Sequence, residues 1–569
     1  MPSSETIAFD GIAWGDIVWT RPAAVPLDLN GPVDRPFTRC PGDFTERTIL
    51  DLLRQAAAPD PNATAIVGTT ERLTYAELVD RVGRIAKHVA AAVPVGGAVA
   101  TLLPNSPSGF AALLGCLIAA RVCIVLDPSH PRERNAAILQ DANPTAVLLS
   151  DDVGPAADFG IPDPTIRLML RTALNDADHA GWVPARTLDP DEPALVHYTS
   201  GSTGRPKGTV ISTRAALRRA QIHIDTWHMT GSDRLLSTSQ PSTNSGFCCS
   251  LAALCGGARL MVHSLAVEGA STLFTLVQTE GLTLLHAGRS IVRMLFALGG
   301  AKAAFSQLRV LRSGGDTILW ADIANWRTIL PPDCHIAHAY ASTEAMVGAH
   351  WFVPANHTGT EARVPAGYPL ADQDYALIDA SGRNVPPGEA GEFLLRSRHI
   401  ACGEWRDGRC VPGRIQPDPA QPGWRILRTG DQLRMGADGV LRFVSRVDRQ
   451  IKINGVRIEP AEVESVLLGT PGVADAGVVA RQSGGEAGLV AYVAAEAGRH
   501  RALRAMLRER LRAGLPAAMR PAQIIMLERM PYLPGGKVDL RALPATTGSR
   551  QRLLRRLFAG RTARRHGSH

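Results

Sequence analysis

The stretch Ala194-Leu-Val-His-Tyr198, running into Thr199-Ser-Gly-Ser-Thr-Gly-Arg-Pro-Lys-Gly208, decides how this 569-residue chain is read. The apolar run Ala194–Tyr198 predicts a buried strand. A second strand is predicted at Thr209–Ile211, followed by a helix capped by Thr213. Glycines between the strands remove side chains and permit φ > 0, so backbone N–H groups can converge on anionic oxygens. Thr199, Ser200, Ser202 and Thr203 add hydroxyls, and Lys207 adds a charge. A Walker A loop would run from Lys-Ser/Thr directly into a helix. Here Lys207 precedes Gly208 and a strand intervenes, so this is a different phosphate-binding loop. A Ser/Gly-rich surface turn is the plain alternative.

Working outward, short strands alternate with helices. Ala65–Val67, Val99–Leu103 and Ala146–Leu149 read as strands; Tyr75–Val89, capped by Thr74, and Pro131–Gln140 read as helices. That alternation predicts parallel sheets and an α/β architecture persisting to about Asp448. Gly109–Leu126 is apolar enough to raise a membrane span. Arg121 interrupts it, and a helical pattern followed by the β-branched run Val122–Val125 fits a buried helix and strand better. Residues 1–45 are rich in proline (Pro22, Pro26, Pro32, Pro36, Pro41) and read as an extended leader over the surface.

After Arg446 the pattern changes. Gln450–Ile453, Asn454-Gly455 and Val456–Glu459 form an alternating strand, a tight turn and a second strand. Pro460 starts a helix to Leu468. The strands Gly477–Val479 and Val490–Val493, the basic helix Arg501–Ala513 and the strand Gln523–Leu527 complete a compact α+β unit. The expected division is an N-terminal extension 1–47, a large domain 48–447, a small C-terminal domain 448–545 and a tail 546–569.

With 45% hydrophobic and 20% charged residues the chain reads as globular, excluding wholesale disorder and coiled coil. Nine cysteines without any C-x-x-C predict reduced, mostly buried thiols. Met1–Asp10 has no apolar core of a signal peptide, so a cytoplasmic protein is expected. The net charge is +8, yet residues 550–569 hold seven arginines and no acid, leaving about +1 for the body. The basic character belongs to a tail, and Arg550–Phe558 reads either as a short amphipathic helix or as a solvated end.

Six motifs then occur in one order. Tyr198–Gly208 resembles the signature loop of the adenylate-forming superfamily, which includes acyl-CoA synthetases and adenylation domains of nonribosomal peptide synthetases. Ser313-Gly-Gly-Asp316 is similar to its Gly-Gly-Glu segment, Tyr340-Ala-Ser-Thr-Glu344 to its Tyr-Gly-x-Thr-Glu, and Arg428-Thr-Gly-Asp431 to its Thr-Gly-Asp. Ser445–Glu459 resembles its hinge signature and Gly535-Gly-Lys537 its C-terminal Gly-Lys. Asp316 and Ala341 depart from the usual glutamate and glycine. The resemblance covers about residues 48–545 and implies a large multi-sheet domain with a small mobile C-terminal one.

It also implies ATP and Mg²⁺ as reactants and site groups. Thr199, Ser200, Gly201, Ser202, Thr203, Gly204 and Lys207 would hold the β- and γ-phosphates. Gly314, Gly315 and Asp316 would contact the nucleotide, Tyr340 would stack on adenine, and Asp431 and Arg446 would hold the ribose. Thr343 would bond the α-phosphate, Glu344 would ligate Mg²⁺, and Lys537 would reach the α-phosphate and the acid. Asp448 would be the pivot, with Lys452 and Gly455 beside the pantetheine tunnel.

The same resemblance places Asn244, Ser245, Cys248, His286, Arg312, Gly314, Ala339, Val347 and Gly348 at the acid pocket. Relatives that activate α-amino acids carry an aspartate where Asn244 stands. An amide cannot neutralise a buried ammonium, so an aryl or other amine-free acid is expected. Arg312 and His286 read either as ligands of a second acidic or hydroxyl group or as exposed or helix-facing residues. No carrier segment is recognised after residue 545, so the thiol acceptor is expected to be CoA or a separate carrier protein, with no nucleic acid and no membrane span. An amino-acid adenylation enzyme, a P-loop kinase or NTPase and a non-catalytic nucleotide-binding module are the rivals.

Overall fold

In the computed structural model the described residues are 14–150, 159–175, 189–199, 206–314, 318–355, 363–447, 451–453, 456–483, 486–495, 500–531, 538–540 and 542–544. The chain divides into two compact units, with the boundary between Val456 and Arg457.

The larger unit holds three sheets. In the first, Pro193–Thr199 pairs in parallel with Val122–Leu126, which continues through Ala98–Leu102 and Ala146–Leu149 to Ile166–Met169. On its other edge Lys207–Ser212 runs antiparallel, followed by Gly403–Arg406 and Arg409–Val411. The second sheet has nine strands. Its parallel centre orders Thr64–Val67, Arg259–Met261, Arg234–Ser237, Leu284–His286, Val310–Gly314 and His335–Tyr340. The third is an antiparallel sheet of Asp374–Ile378, Ala390–Ser397, Arg425–Met435, Ile415–Pro417 and Leu441–Arg446.

The central strands of the first sheet are buried along their length because helices cover both faces. Val122–Leu126 and Ala98–Leu102 are buried at every position. The helix Pro107–Ile118 packs on Tyr75–Ala92, and Gly115 lies so close to Ile85 that a Cβ would come within 2.7 Å of it. The apolar stretch Gly109–Leu126 is thus a buried helix and strand, and no described helix is long and apolar enough to cross a membrane. Thr74 caps its helix through a reciprocal pair with Glu77. Ser212, and not Thr213, caps the helix Thr213–Trp227; its hydroxyl accepts from the Ala215 amide.

Two expectations are overturned. The α/β alternation stops well before Asp448: between Arg327 and Pro460 the described chain contains strands and no helix, because the third sheet is a meander of antiparallel pairs. Nor does the leader merely cross the surface. Trp14 and Ile17 are buried against Ala376, Ile378, Leu394 and Ile426, and the Asp28 carboxylate is buried between Arg39 and His228. Proline spacing reports an irregular backbone but not where its apolar side chains go. All nine cysteines are free.

In the smaller unit, helix Pro460–Leu468 and helix His500–Gly514 accompany a sheet in which Glu486–Ala494 pairs with Asp475–Ser483 on one side and Gln523–Leu527 on the other. The predicted Asn454-Gly455 turn lies outside the described residues; Ile451–Ile453 and Val456–Ile458, at the boundary between the units, are strands. The strands are longer than the sequence suggested, pairing from Asp475 with Ala494 to Ser483 with Glu486; Tyr492 is fully buried and its hydroxyl donates to the Pro544 carbonyl.

Candidate active site

Three of the residues expected to hold a nucleotide meet at the end of one strand. Tyr340 is the last residue of His335–Tyr340, Asp431 lies within Arg425–Met435, and Arg446 ends Leu441–Arg446. The antiparallel register sets Asp431 directly opposite Arg446, and their side chains form a buried ion pair. The Tyr340 hydroxyl donates to the other Asp431 oxygen. Burial and then Asp431 push this phenol well above its ordinary range, so it remains a donor. The ring stands edge-on to Phe393 at 5.7 Å. Gly348 lies against its flank: a Cβ there would come within 3.0 Å of the ring.

After Tyr340 the chain turns through Thr343, which is half-buried, and Glu344, which is 4% exposed. Met346 closes the turn at φ 61, in the left-handed region. Asn244, the first residue of helix Asn244–Cys255, is spent on this turn. Its amide donates to the Thr343 carbonyl at 3.3 Å and to Met346 Sδ at 2.9 Å, while the Cys248 thiol donates to its oxygen at 3.1 Å. Beside it a polar chain crosses the strand ends. Arg219 Nη2 donates to Ser245 Oγ at 3.1 Å, Ser245 Oγ lies 3.2 Å from His286 Nε2, and Arg312 Nη1 donates to the same nitrogen. Ser237 Oγ faces His286 Nδ1 at 3.1 Å. Burial, then Arg312 and Arg219, holds the His286 imidazole well below its usual range, so it is a neutral acceptor. Ala339 and Val347 pack with Ile222 and Leu370 as the apolar wall beside this chain.

Lys207 opens the strand Lys207–Ser212 and is ion-paired to the buried Glu404 at 2.6 Å. Burial alone would raise that carboxyl; the bonds from Lys207 and Arg406 hold it below its ordinary value.

The profile of the AMP-binding enzyme family matches residues 53–405, and that of the AMP-binding enzyme C-terminal domain matches residues 462–537. The chain belongs to the AMP-binding enzyme family. It is 32% identical to the isonitrile lipopeptide synthase of Streptomyces coeruleorubidus, over 92% of this chain and 34% of that protein. Two solved structures share the fold. One is the artificially fused adenylation–PCP di-domain NpsA-ThdA from Klebsiella oxytoca, with a TM-score of 0.72 and 21% identity over 84% of this chain and 93% of that one. The other is a double mutant of o-succinylbenzoate CoA synthetase from Bacillus subtilis, with a TM-score of 0.70 and 22% identity over 86% and 98%. The chain spans less than half the length of the curated relatives it matches.

Within this AMP-binding enzyme, the expected residues that come together are Tyr340, Asp431 and Arg446 in one group. Asn244, Ser245, Cys248, His286 and Arg312 form another, joined to the first by the turn through Thr343 and Glu344. Neither Arg312 nor His286 is exposed or on a helix: both lie on parallel central strands and are 2% and 3% exposed. Ser200, Gly201, Ser202, Thr203, Gly204, Gly315, Asp316, Asp448, Gly455, Lys537 and the Lys452 side chain lie outside the described residues. Sequence reading missed Arg219, Ser237 and Glu404. Arg219 was legible: its helix neighbours at three and four residues, Ala215, Ala216, Ile222 and His223, are all buried, so a cation shares their face. A cavity of about 510 Å³ bordered by Glu71, Ser108, Gln240 and Glu268 is separate from both groups.

Proposed function

We propose that the chain activates a carboxylic acid with ATP and passes the acyl group to a pantetheine thiol. The observation that carries this reading is the bond from Asn244 to the Thr343 turn, which links a carboxylate–arginine–tyrosine group to a second polar pocket. The acid's carboxylate attacks the α-phosphorus, the bond to the β-phosphate oxygen breaks, and pyrophosphate leaves. The thiol then attacks the acyl carbon and AMP departs. Such chemistry rests on positioning and charge neutralisation more than on a general base. Asp431 accepts from the ribose hydroxyls, with Arg446 as a second contact. Tyr340 flanks adenine, Thr343 bonds the α-phosphate, and the Thr199–Lys207 loop holds the departing phosphates. Lys537 stabilises the forming anhydride.

Among the described residues no group of three His, Cys, Asp or Glu side chains is disposed to hold a metal. A single buried carboxylate suits Mg²⁺, which takes its other ligands from water and nucleotide phosphate, so Glu344 is its proposed ligand. Bound there, the ion neutralises phosphate charge.

The acid is proposed to lack an α-ammonium, because Asn244 is neutral and its donors already serve the Thr343 turn. The acceptor is CoA or a carrier protein. A second reading, an amino-acid adenylation enzyme that loads a carrier, is favoured by the similarity to peptide synthetases. Product analysis of labelled ATP tests the chemistry: AMP and pyrophosphate are expected, and ADP would overturn it. Pyrophosphate exchange over aryl, aliphatic, β-amino and α-amino acids tests the substrate, and strong exchange with a simple α-amino acid contradicts the Asn244 argument.

A further inference from the structure

Arg219 and Arg312 are among the most deeply buried cations of the fold, at 3% and 2% exposure. Other arginines with buried or half-buried side chains are answered within the protein. Arg309 binds Asp233, Arg214 binds Asp191 and Glu46, and Arg121 donates to the carbonyls of Ala90, Val93 and Ala119. Arg219 has one partner, the Ser245 hydroxyl, and its buried Nε has none. Arg312 has one partner, the neutral ring of His286. Among the described residues no carboxylate pairs with either.

The neighbourhood does not offset the charge. His223, fully buried with Nε2 unpartnered, feels Arg312 and Arg219, and burial followed by those charges holds it neutral. Burial, and then Arg219, lowers Arg312 to about 10, which still leaves it charged at neutral pH. Two guanidinium groups linked through Ser245 and His286 are therefore buried together with no anion among the described residues, an arrangement that is unfavourable until a ligand supplies one. A guanidinium fork carries parallel N–H donors of the kind that suit a planar carboxylate.

Resting on the adenylation reading, we propose that the pocket takes an amine-free dicarboxylic acid, whose second carboxylate pairs with Arg312 and Arg219 while the first is adenylated. The apolar wall of Ala339 and Val347 covers the connecting carbons.

The test uses the full chain and matched compounds: dicarboxylic acids of increasing length, aliphatic and aromatic, their monomethyl esters, and analogues with a phosphonate for the second carboxylate. Pyrophosphate exchange reads turnover, and calorimetric titration without ATP reads binding alone. The best diacid is expected to exceed its monoester by about 100-fold in both, the scale of losing one partner of a buried charge pair. Arg312→Gln is expected to collapse that ratio to within about tenfold, and Arg312→Lys to retain part of it, with circular dichroism checking each fold. Equal or better use of monoesters, or an unchanged ratio in both Arg312→Gln and Arg219→Gln, overturns the proposal. So does a preference for the phosphonate, which would assign a different anion. Exchange with neutral acids and no selective diacid binding overturns it while leaving adenylation standing. Selective, arginine-dependent diacid binding with no exchange supports it and removes the adenylation reading. Absence of both overturns it.

Discussion

Asp431 answers two side chains at once, and that makes it the most informative single position. Its partner Arg446 has a side chain only 10% exposed, and its own is 2% exposed. Asp431→Asn keeps the shape but leaves the guanidinium beside a neutral amide, and breaking a buried pair from one side costs about 3–5 kcal/mol. Urea unfolding should show a loss of that order, and an unchanged midpoint would mean that the pair is solvated. If the carboxylate also accepts from the ribose, the same variant raises the KM for ATP in pyrophosphate exchange more than the KM for the acid. The motif Thr-Gly-Asp was readable in the chain. That its aspartate holds Tyr340 as well as Arg446 was not, because the three residues are separated by up to 106 positions and meet only through strand register.

At the scale of an element, helix Asn244–Cys255 decides the acid pocket, and Gly246 decides where that helix starts. A Cβ at Gly246 would lie 2.2 Å from the Gln240 carbonyl oxygen and 2.4 Å from that of Ser239, both backbone atoms that a rotamer change cannot move. Gly246→Ala is therefore expected to shift the turn and to cost about 1–3 kcal/mol as overpacking. It should raise the KM for the acid while the KM for ATP changes less. An equal effect on both constants would show that the helix start serves the fold alone. The family resemblance placed Asn244 at the acid pocket, but the helix Asn244–Cys255 that holds it follows only from the fold. The run from Ala349 to Arg446 was misjudged because apolar alternation does not say whether a strand's partner arrives by a crossover helix or by a hairpin. The leader was misjudged for a related reason: Trp14 finds its apolar partners at Ala376 and beyond, a distance in sequence that no local window spans.

For the whole molecule, buried imidazoles make folding sensitive to mild acid. Burial holds His197 and His350 at about 3, with Arg219 adding to the first and Arg312 to the second. In the unfolded chain each titrates near 6.5. Below about 6.5 the unfolded state takes up protons that the folded state refuses, so stability falls as pH drops toward 3 and is flat above 7. At pH 5.5 each of the two costs about 1.4 kcal/mol, and His223 and His286 are shifted in the same direction. Urea midpoints at pH 7.5 and 5.5 measure this, and equal midpoints would contradict the burial. A second test concerns the chain's two units. With Lys537 in the role proposed above, Lys537→Ala should abolish acyl-adenylate formation yet leave thioester formation from a supplied acyl-adenylate largely intact. Equal loss of both half-reactions would argue for one arrangement serving both steps.

The order of six short motifs was enough to read the family, and strand–helix periodicity was enough to read an α/β body with a smaller α+β unit after it. Both are properties of neighbouring residues, where spacing alone constrains the backbone. Charge balance inside the molecule is not such a property. Arg219 and Arg312 are ninety-three positions apart, and nothing local says that one helix and one central strand bring them to the same serine and histidine without an acid between them. Only packing removes water from those two cations, and it is the removal of water that turns two ordinary arginines into a demand for an anion.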